Sequence, residues 1–369
     1  MKRILTNFFI IMTLICSLTG CKKISVQVDD ELTAKPFQER YKYIVPGNVP
    51  KGELYWRKNL KIEKPQSPAF FNNTVYTVTK NGNIFAINSN TGAITWATKI
   101  NGNEFNSAPE ILYDYFCLLS KSGCLFIYNS INGNKKFSYS SDYPVEAIPE
   151  ITKSKLFFAN ADGRIYSINL YNGHPRWIMK IKAPIKSSIT YNHDHIYFGA
   201  YDGYIYSMHA NSGRLIWRYQ TGAPIVSKPI IVNGVVYVGS TDGNLYAIHE
   251  KKGELVWKSK FPGMISSSVA YENNKVFAGD TKGVFAALDA ISGNVLWTCK
   301  TYGSILSSPA VSDGFVYVPS GDGHLYSINA LNGSVYWKYK TLSTQLSAPI
   351  INNGIVYFTT QDGYVYAIK

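Results

Sequence analysis

The stretch Asp242-Gly243-Asn244-Leu245-Tyr246-Ala247-Ile248, with a second glycine at Gly253 and a tryptophan at Trp257, decides the fold because it recurs along the chain. The turn glycine returns at Gly82, Gly123, Gly163, Gly203, Gly283, Gly323 and Gly363. The second glycine returns at Gly92, Gly133, Gly173, Gly213, Gly293 and Gly333. The large aromatic returns at Trp56, Trp96, Phe137, Trp177, Trp217, Trp297 and Trp337, with Phe137 the one position that is not tryptophan. Three series in phase at a spacing near forty residues mark a repeat architecture rather than two unrelated domains.

One unit reads as four short strands. Ile225 to Ile231 is the first and Val235 to Gly239 the second, joined by an Asn-Gly turn. Asp242-Gly243 makes the next hairpin, because glycine accepts the positive φ such turns require. Leu245 to Ile248 and Glu254 to Ser259 are the third and fourth strands. Four strands per unit, many times over, describe propeller blades. The chain stops at Lys369, just after the third strand Tyr364 to Ile368, while Glu53 to Lys58 precedes the first complete unit. One orphan strand at each end makes one blade. The expected fold is therefore all-β: an eight-bladed β-propeller of four-stranded blades, its ring closed by the N-terminal strand completing the last blade. The tryptophans are expected between blades, where their area stabilises most.

Aromatic residues make up 14% of the 369 residues and charged residues 17%, yet the net charge is +13. That sign suits an acidic protein, an anionic lipid surface or nucleic acid, or is the plain property of a soluble basic protein. At the amino terminus, Lys2 and Arg3 precede an apolar run from Phe8 to Leu18. The run is too short to cross a bilayer and reads as a secretory leader. It ends in Leu18-Thr19-Gly20-Cys21, which resembles a bacterial lipobox. This implies cleavage before Cys21 and a lipid on its thiol. Residues 1–20 are thus read as a lipoprotein signal peptide, 21–52 as a flexible tether and 53–369 as the propeller. The tether would reach about 30 Å. Residue 22 is Lys, whereas in such lipoproteins Asp at this place favours inner-membrane retention. The resemblance implies the periplasmic face of the outer membrane. Export also argues against nucleic acid.

The unit resembles the PQQ-like repeat of quinoprotein propellers, most fully at Asp242 to Trp257 and Asp322 to Trp337. The WD40 repeat fits less well, since no Trp here is followed by Asp. Two families within that group compete. Quinoprotein dehydrogenases would hold pyrroloquinoline quinone over Ca²⁺ in the central funnel. The BamB family of outer-membrane assembly lipoproteins comprises non-catalytic eight-bladed scaffolds. The lipobox, the length, the single propeller and the ending on a third strand resemble BamB. That resemblance implies no enzyme activity, no cofactor, no metal, and a partner in the envelope such as the barrel-inserting subunit.

Residues able to carry chemistry are few. Vicinal cysteines of the kind found in quinoprotein alcohol dehydrogenases are absent from the sequence; outside the leader and lipobox only Cys117, Cys124 and Cys299 remain. Cys117 takes a core slot, and a bridge to Cys124 stays open. The turn aspartates Asp162, Asp202, Asp242, Asp322 and Asp362 read as turn caps rather than a metal ring. His209 and His249 share a slot filled elsewhere by Asn or Asp. His193-Asp194-His195 reads as a solvated turn, with metal binding the alternative. Lys99, Lys180, Lys260, Lys300 and Lys340 recur three residues after the tryptophan. They read first as edge protection, with attraction of an anionic partner second. The expected function is a lipid-anchored scaffold for outer-membrane protein assembly. A quinone-dependent dehydrogenase or sensor, and a funnel for sugar or peptide, are the alternatives.

Overall fold

The computed structural model describes residues 50–61 and 64–369. Among them every regular element is a strand, and the strands form eight antiparallel sheets of four. Seven sheets are consecutive in sequence. Blade 1 begins at Ala69–Phe71, blade 5 at Ile230–Val232 and blade 7 at Ala310–Ser312. Blade 8 joins Ile350–Asn352, Ile355–Thr359 and Tyr364–Ile368 to the strand Leu54–Asn59 from the other end of the chain. The expected eight-bladed, all-β propeller with N-terminal closure is the fold.

Local backbone chemistry explains the hairpins. Asn233 and Gly234 take φ of 51° and 76°, the paired left-handed geometry of a type I′ turn. His193 and Asp194 do the same at 43° and 62°, so this pair is a hairpin turn built from less suitable residues. His193→Asn is expected to raise stability by about 0.5 kcal/mol, since Asn tolerates the left-handed region better. A urea midpoint that falls would show that the imidazole itself holds the turn.

The inner strands are shorter than the sequence suggests. In blade 5 pairing begins at Ile230, not Ile225. The reason is where the hydrogen bonds of residues 225–229 go. The Ile225 amide donates to Ala200 O of blade 4 (3.1 Å) and the Lys228 amide to Ser268 Oγ of blade 6 (3.1 Å). Pro229 has no N–H to offer. Near the axis the segment serves its neighbours rather than its own sheet.

The core lies between blades. Each of eight buried clusters draws on two adjacent blades; that between blades 5 and 6 joins Tyr237, Leu245 and Trp257 to Val276, Ala278 and Leu288. Trp257 Nε1 donates to Ala290 O of the next blade at 3.0 Å, and Trp217 Nε1 to Glu250 O at 2.7 Å. The second glycine of each unit makes room for this ring. A Cβ on Gly293 would lie 2.5 Å from Trp257 Cδ2, and φ there is +73°.

The same device completes the closure. Trp56 faces Ala367 in the ladder, and the Glu53 and Lys369 amides exchange bonds with each other's carbonyls at 2.9 Å. Trp337 Nε1 donates to Pro50 O at 2.8 Å, and Gly52, with φ of +86°, lies against its ring. Gly52-Glu53-Leu54 repeats Gly253-Glu254-Leu255. Residues 50–52, at the end of the segment read as tether, thus supply the eighth copy of the turn on which a tryptophan packs.

Candidate functional site: the axial cavity and the two faces

Antiparallel strand order places the turns on two faces. Strand 1–2 and strand 3–4 turns share one, the hairpin face, where they bond to each other, as the Ala210 amide does to Asp194 O (2.7 Å). Strand 2–3 turns and the blade-to-blade crossovers share the other, the crossover face, where the Thr241 amide reaches Pro224 O (3.1 Å).

Along the axis runs a cavity of about 340 Å³ lined by the segments that precede the inner strands. Serines dominate it, for a structural reason. Ser188, Ser268 and Ser308 accept amide bonds from the preceding blade at 3.0–3.1 Å. Ser227 Oγ donates to Gly239 O within its own blade at 2.8 Å. The two lysines of the wall are paired: Lys186 with Glu146 at 3.1 Å, and the buried Lys228 with Glu150 at 2.9 Å. The second pair ties blade 5 to blade 3 past blade 4. A planar quinone with three carboxylates, held over Ca²⁺, needs a stacking ring, spare cations and clustered carboxylates. Among the described residues no aromatic side chain lines the cavity, and no three His, Cys, Asp or Glu stand close enough for a metal ion. The residues of the funnel do not fit that cofactor.

Three of the turn aspartates, Asp202, Asp242 and Asp322, cap the backbone, whereas Asp162 pairs with Arg164 and Lys180. Asp242 accepts from the Asn244 amide at 2.7 Å, the Gly222 amide at 2.9 Å and Tyr246 Oη at 2.6 Å. Asp322 holds Tyr326 Oη (2.5 Å) and the Tyr302 amide (3.2 Å) alike. The blade carrying Ala286 has no hydroxyl at that slot, and its carboxylate moves to Asp280, which accepts from the Gly263 amide at 2.7 Å. Burial pulls the Asp242 and Asp322 carboxyls upward, but their hydrogen bonds outweigh it and leave both below the usual range. Tyr246 is pushed up to about 12 by burial and by Asp242. A depressed carboxyl stabilises the fold above its unfolded value, about 3.9, and loses that contribution as pH falls through its folded value. Asp242→Asn with Asp322→Asn is expected to lower the urea midpoint at neutral pH. It should also shrink the further fall between about pH 4 and 3; an unchanged acid limb would contradict this assignment.

The recurrent lysines have a role that the sequence does not announce. Lys260 Nζ donates to Asp242 O at 2.5 Å, Lys340 Nζ to Asp322 O at 2.9 Å, and Lys300 Nζ to Lys282 O. Lys180 instead grips the Asp162 carboxylate at 3.0 Å. Each closes the strand 2–3 turn of its own blade.

Among the described residues, histidine and cysteine show no reactive grouping. His209 and His249 accept through Nδ1 from the Asn211 and Lys251 amides at 3.3 Å, the capping role their slot implies. His195 Nδ1 meets Tyr197 Oη at 3.1 Å, which reaches the Glu250 carboxylate at 3.1 Å. Burial holds the imidazole below its usual range even with Glu250 near. Cys117, Cys124 and Cys299 are free thiols. Cys117 faces Ile127 and Cys124 faces Ser140 in the ladders, so the bridge left open by the sequence does not form. Burial pushes the Cys117 thiol well up, as for an inert core residue. Leu18, Thr19, Gly20 and Cys21 lie outside the described residues.

Known proteins reflect this geometry. A family model described as outer membrane protein assembly factor BamB matches residues 44–188. Another, described as the β-propeller of beta-alanine-activating enzyme, matches residues 162–369. No curated protein matches the sequence. Among solved structures, BamB from Moraxella catarrhalis is 16% identical with a TM-score of 0.76, covering 86% of this chain and 99% of its own. The quinohemoprotein alcohol dehydrogenase ADHIIG from Pseudomonas putida is 14% identical with a TM-score of 0.77, covering 92% and 78%. That from Comamonas testosteroni is 12% identical with a TM-score of 0.78, covering 93% and 82%. Likeness at these identities shows the fold alone. The model over residues 162–369 spans more than half of the chain, and the chain accordingly belongs to that β-propeller family, as a PQQ-like repeat propeller that resembles BamB.

Proposed function

We propose that the chain is a non-catalytic, lipid-anchored scaffold that binds envelope proteins at the periplasmic face of the outer membrane and serves the assembly of β-barrel proteins there. The observation that carries this reading is the match of residues 44–188 to the BamB model. The lipobox ending in Cys21 supports it from the sequence. A ring of eight inter-blade cores presents turns on two faces, as a docking platform would. Cys21 would carry the acyl chains and hold the ring at the membrane. The partner is an envelope protein, with the barrel-inserting subunit the first to test.

Affinity capture of the lipidated protein from envelope membranes should recover that subunit. Its reproducible absence, with other envelope proteins present, would refute the assembly role. Cys21→Ser should abolish incorporation of labelled palmitate. A quinone-dependent dehydrogenase or sensor is the second reading: it shares the fold of the two quinohemoprotein enzymes, although the funnel residues do not fit the cofactor. Retention of pyrroloquinoline quinone with Ca²⁺ and dye-linked turnover by the purified protein would establish it instead.

A further inference from the structure

Four turn tips on the hairpin face are apolar or aromatic and exposed, with the Tyr171 hydroxyl donating to Lys153 O at 2.9 Å. Ile131, Tyr171, Ile291 and Leu331 are 68%, 64%, 75% and 74% exposed. All four hold one repeat slot in the strand 3–4 turn. The amide of each donates to the side chain of the Asn or Asp two residues earlier, at 2.9–3.2 Å. The caps fix each tip in the same conformation. Equivalent slots in blades set around one axis lie at one height, so the tips share a plane. A single exposed apolar residue needs no explanation; four in one slot of a ring do.

Half of the same face is basic, while blades 6 to 8 carry Asp289, Asp313 and Glu53 at its turns. Blades 2 to 5 carry Lys135, Lys153, Arg176, Arg214, Lys251 and Lys252 at or beside its turns. The surface carboxylates there are Asp114, Asp194 and Glu254; Asp114 is bonded to a further lysine, Lys136, at 2.5 Å. The amino-terminal chain also joins the ring at this face. Pro50 takes the place in the strand 3–4 turn of blade 8 that Ala330 takes in blade 7, each accepting from the tryptophan of the preceding blade.

We propose that the hairpin face lies on an anionic lipid bilayer, with Ile131, Tyr171, Ile291 and Leu331 entering the interfacial layer and the cations of blades 2 to 5 meeting the headgroups. Coplanar tips match a flat surface such as a bilayer, and the cations beside two of them favour an anionic one. Apolar and aromatic tips on a face that also carries Lys and Arg are the composition of an interfacial contact. Entry of the chain at this face would draw it toward the membrane that holds Cys21, an argument that rests on the lipid-anchor reading. The tips and charges do not depend on it.

The test uses the chain from Lys22 to Lys369, which lacks leader and lipid but keeps every residue that closes the ring. It is sedimented with vesicles of phosphatidylcholine alone or mixed with phosphatidylglycerol. Binding is expected to the anionic vesicles only, and to weaken as salt is added. Serine at all four tips should weaken binding at least about tenfold with the melting temperature unchanged. Arg176→Gln, Lys251→Gln and Lys252→Gln together should weaken it about a hundredfold, at roughly fivefold per cation. Met264→Ser with Tyr302→Ser, on the crossover face, should change nothing. No binding to anionic vesicles, equal binding to neutral ones, or an equal loss in the crossover-face variant would each overturn the proposal. The anchor is read separately by palmitate labelling, so one can fail without the other.

Discussion

A chain that begins at Leu60 is expected to lose its single cooperative melting transition and to self-associate. It lacks the strand Leu54–Asn59, whose ladder with Tyr364–Ile368 completes blade 8. It also lacks Pro50 and Gly52, the seat of Trp337. Two interfaces fail together: the cluster of Trp56 with Phe70, Tyr357 and Val365, and the cover over Trp337 in the cluster of Phe358 and Tyr366. Loss of one buried tryptophan alone costs about 3–5 kcal/mol. The edge of Tyr364–Ile368 would then be open to pairing with a second chain. Calorimetry and light scattering, against the chain beginning at Lys22, read the outcome. A truncated monomer that melts at the parental temperature would refute closure by the amino-terminal strand.

Trp257→Ala is expected to lower the unfolding free energy by about 3–5 kcal/mol, through lost packing and the cavity left behind. Trp257 is 8% exposed, lies 5.8 Å from the Tyr237 ring and covers the backbone of Gly293. Trp257→Phe keeps most of the area but loses the bond to Ala290 O, at a cost of about 1 kcal/mol. Blade 2 has already made that exchange: Phe137 packs on Gly173 without an N–H to donate. Denaturant unfolding separates the two contributions. If Phe proves as damaging as Ala at position 257, the hydrogen bond rather than the ring carries the interface.

The ring was legible in the sequence because its strongest constraints are local and repeat. Positive φ needs glycine, the tryptophan needs a flat glycine surface, and both leave marks at fixed spacing. Gly52 reads with the tether in the sequence; that it seats Trp337, as Gly253 seats Trp217, emerges only from the structure. Hydrogen bonds that leave the blade were not legible. The segment Ile225 to Pro229 has the composition of a strand, yet its amides serve blades 4 and 6. The lysines after the tryptophan had a visible period, but nothing in their spacing reveals that Nζ folds back to a turn carbonyl. The functional surface was the least legible. Ile131, Tyr171, Ile291 and Leu331 are ordinary apolar residues until the strand order puts them on one face.

The split last blade also sets a timetable. Leu54–Asn59 is synthesised before any blade is complete. Its ladder partner Tyr364–Ile368 is synthesised only after seven blades are complete. Seven blades can condense from neighbours in sequence, while the eighth must join the two ends of the chain. The entropy of closing so long a loop grows only slowly with length, but no partial product can contain that sheet. Closure of the ring therefore waits until Tyr364–Ile368 is available to Leu54–Asn59. A chain cut short in synthesis stays open at a sticky edge, where proteases and chaperones can find it.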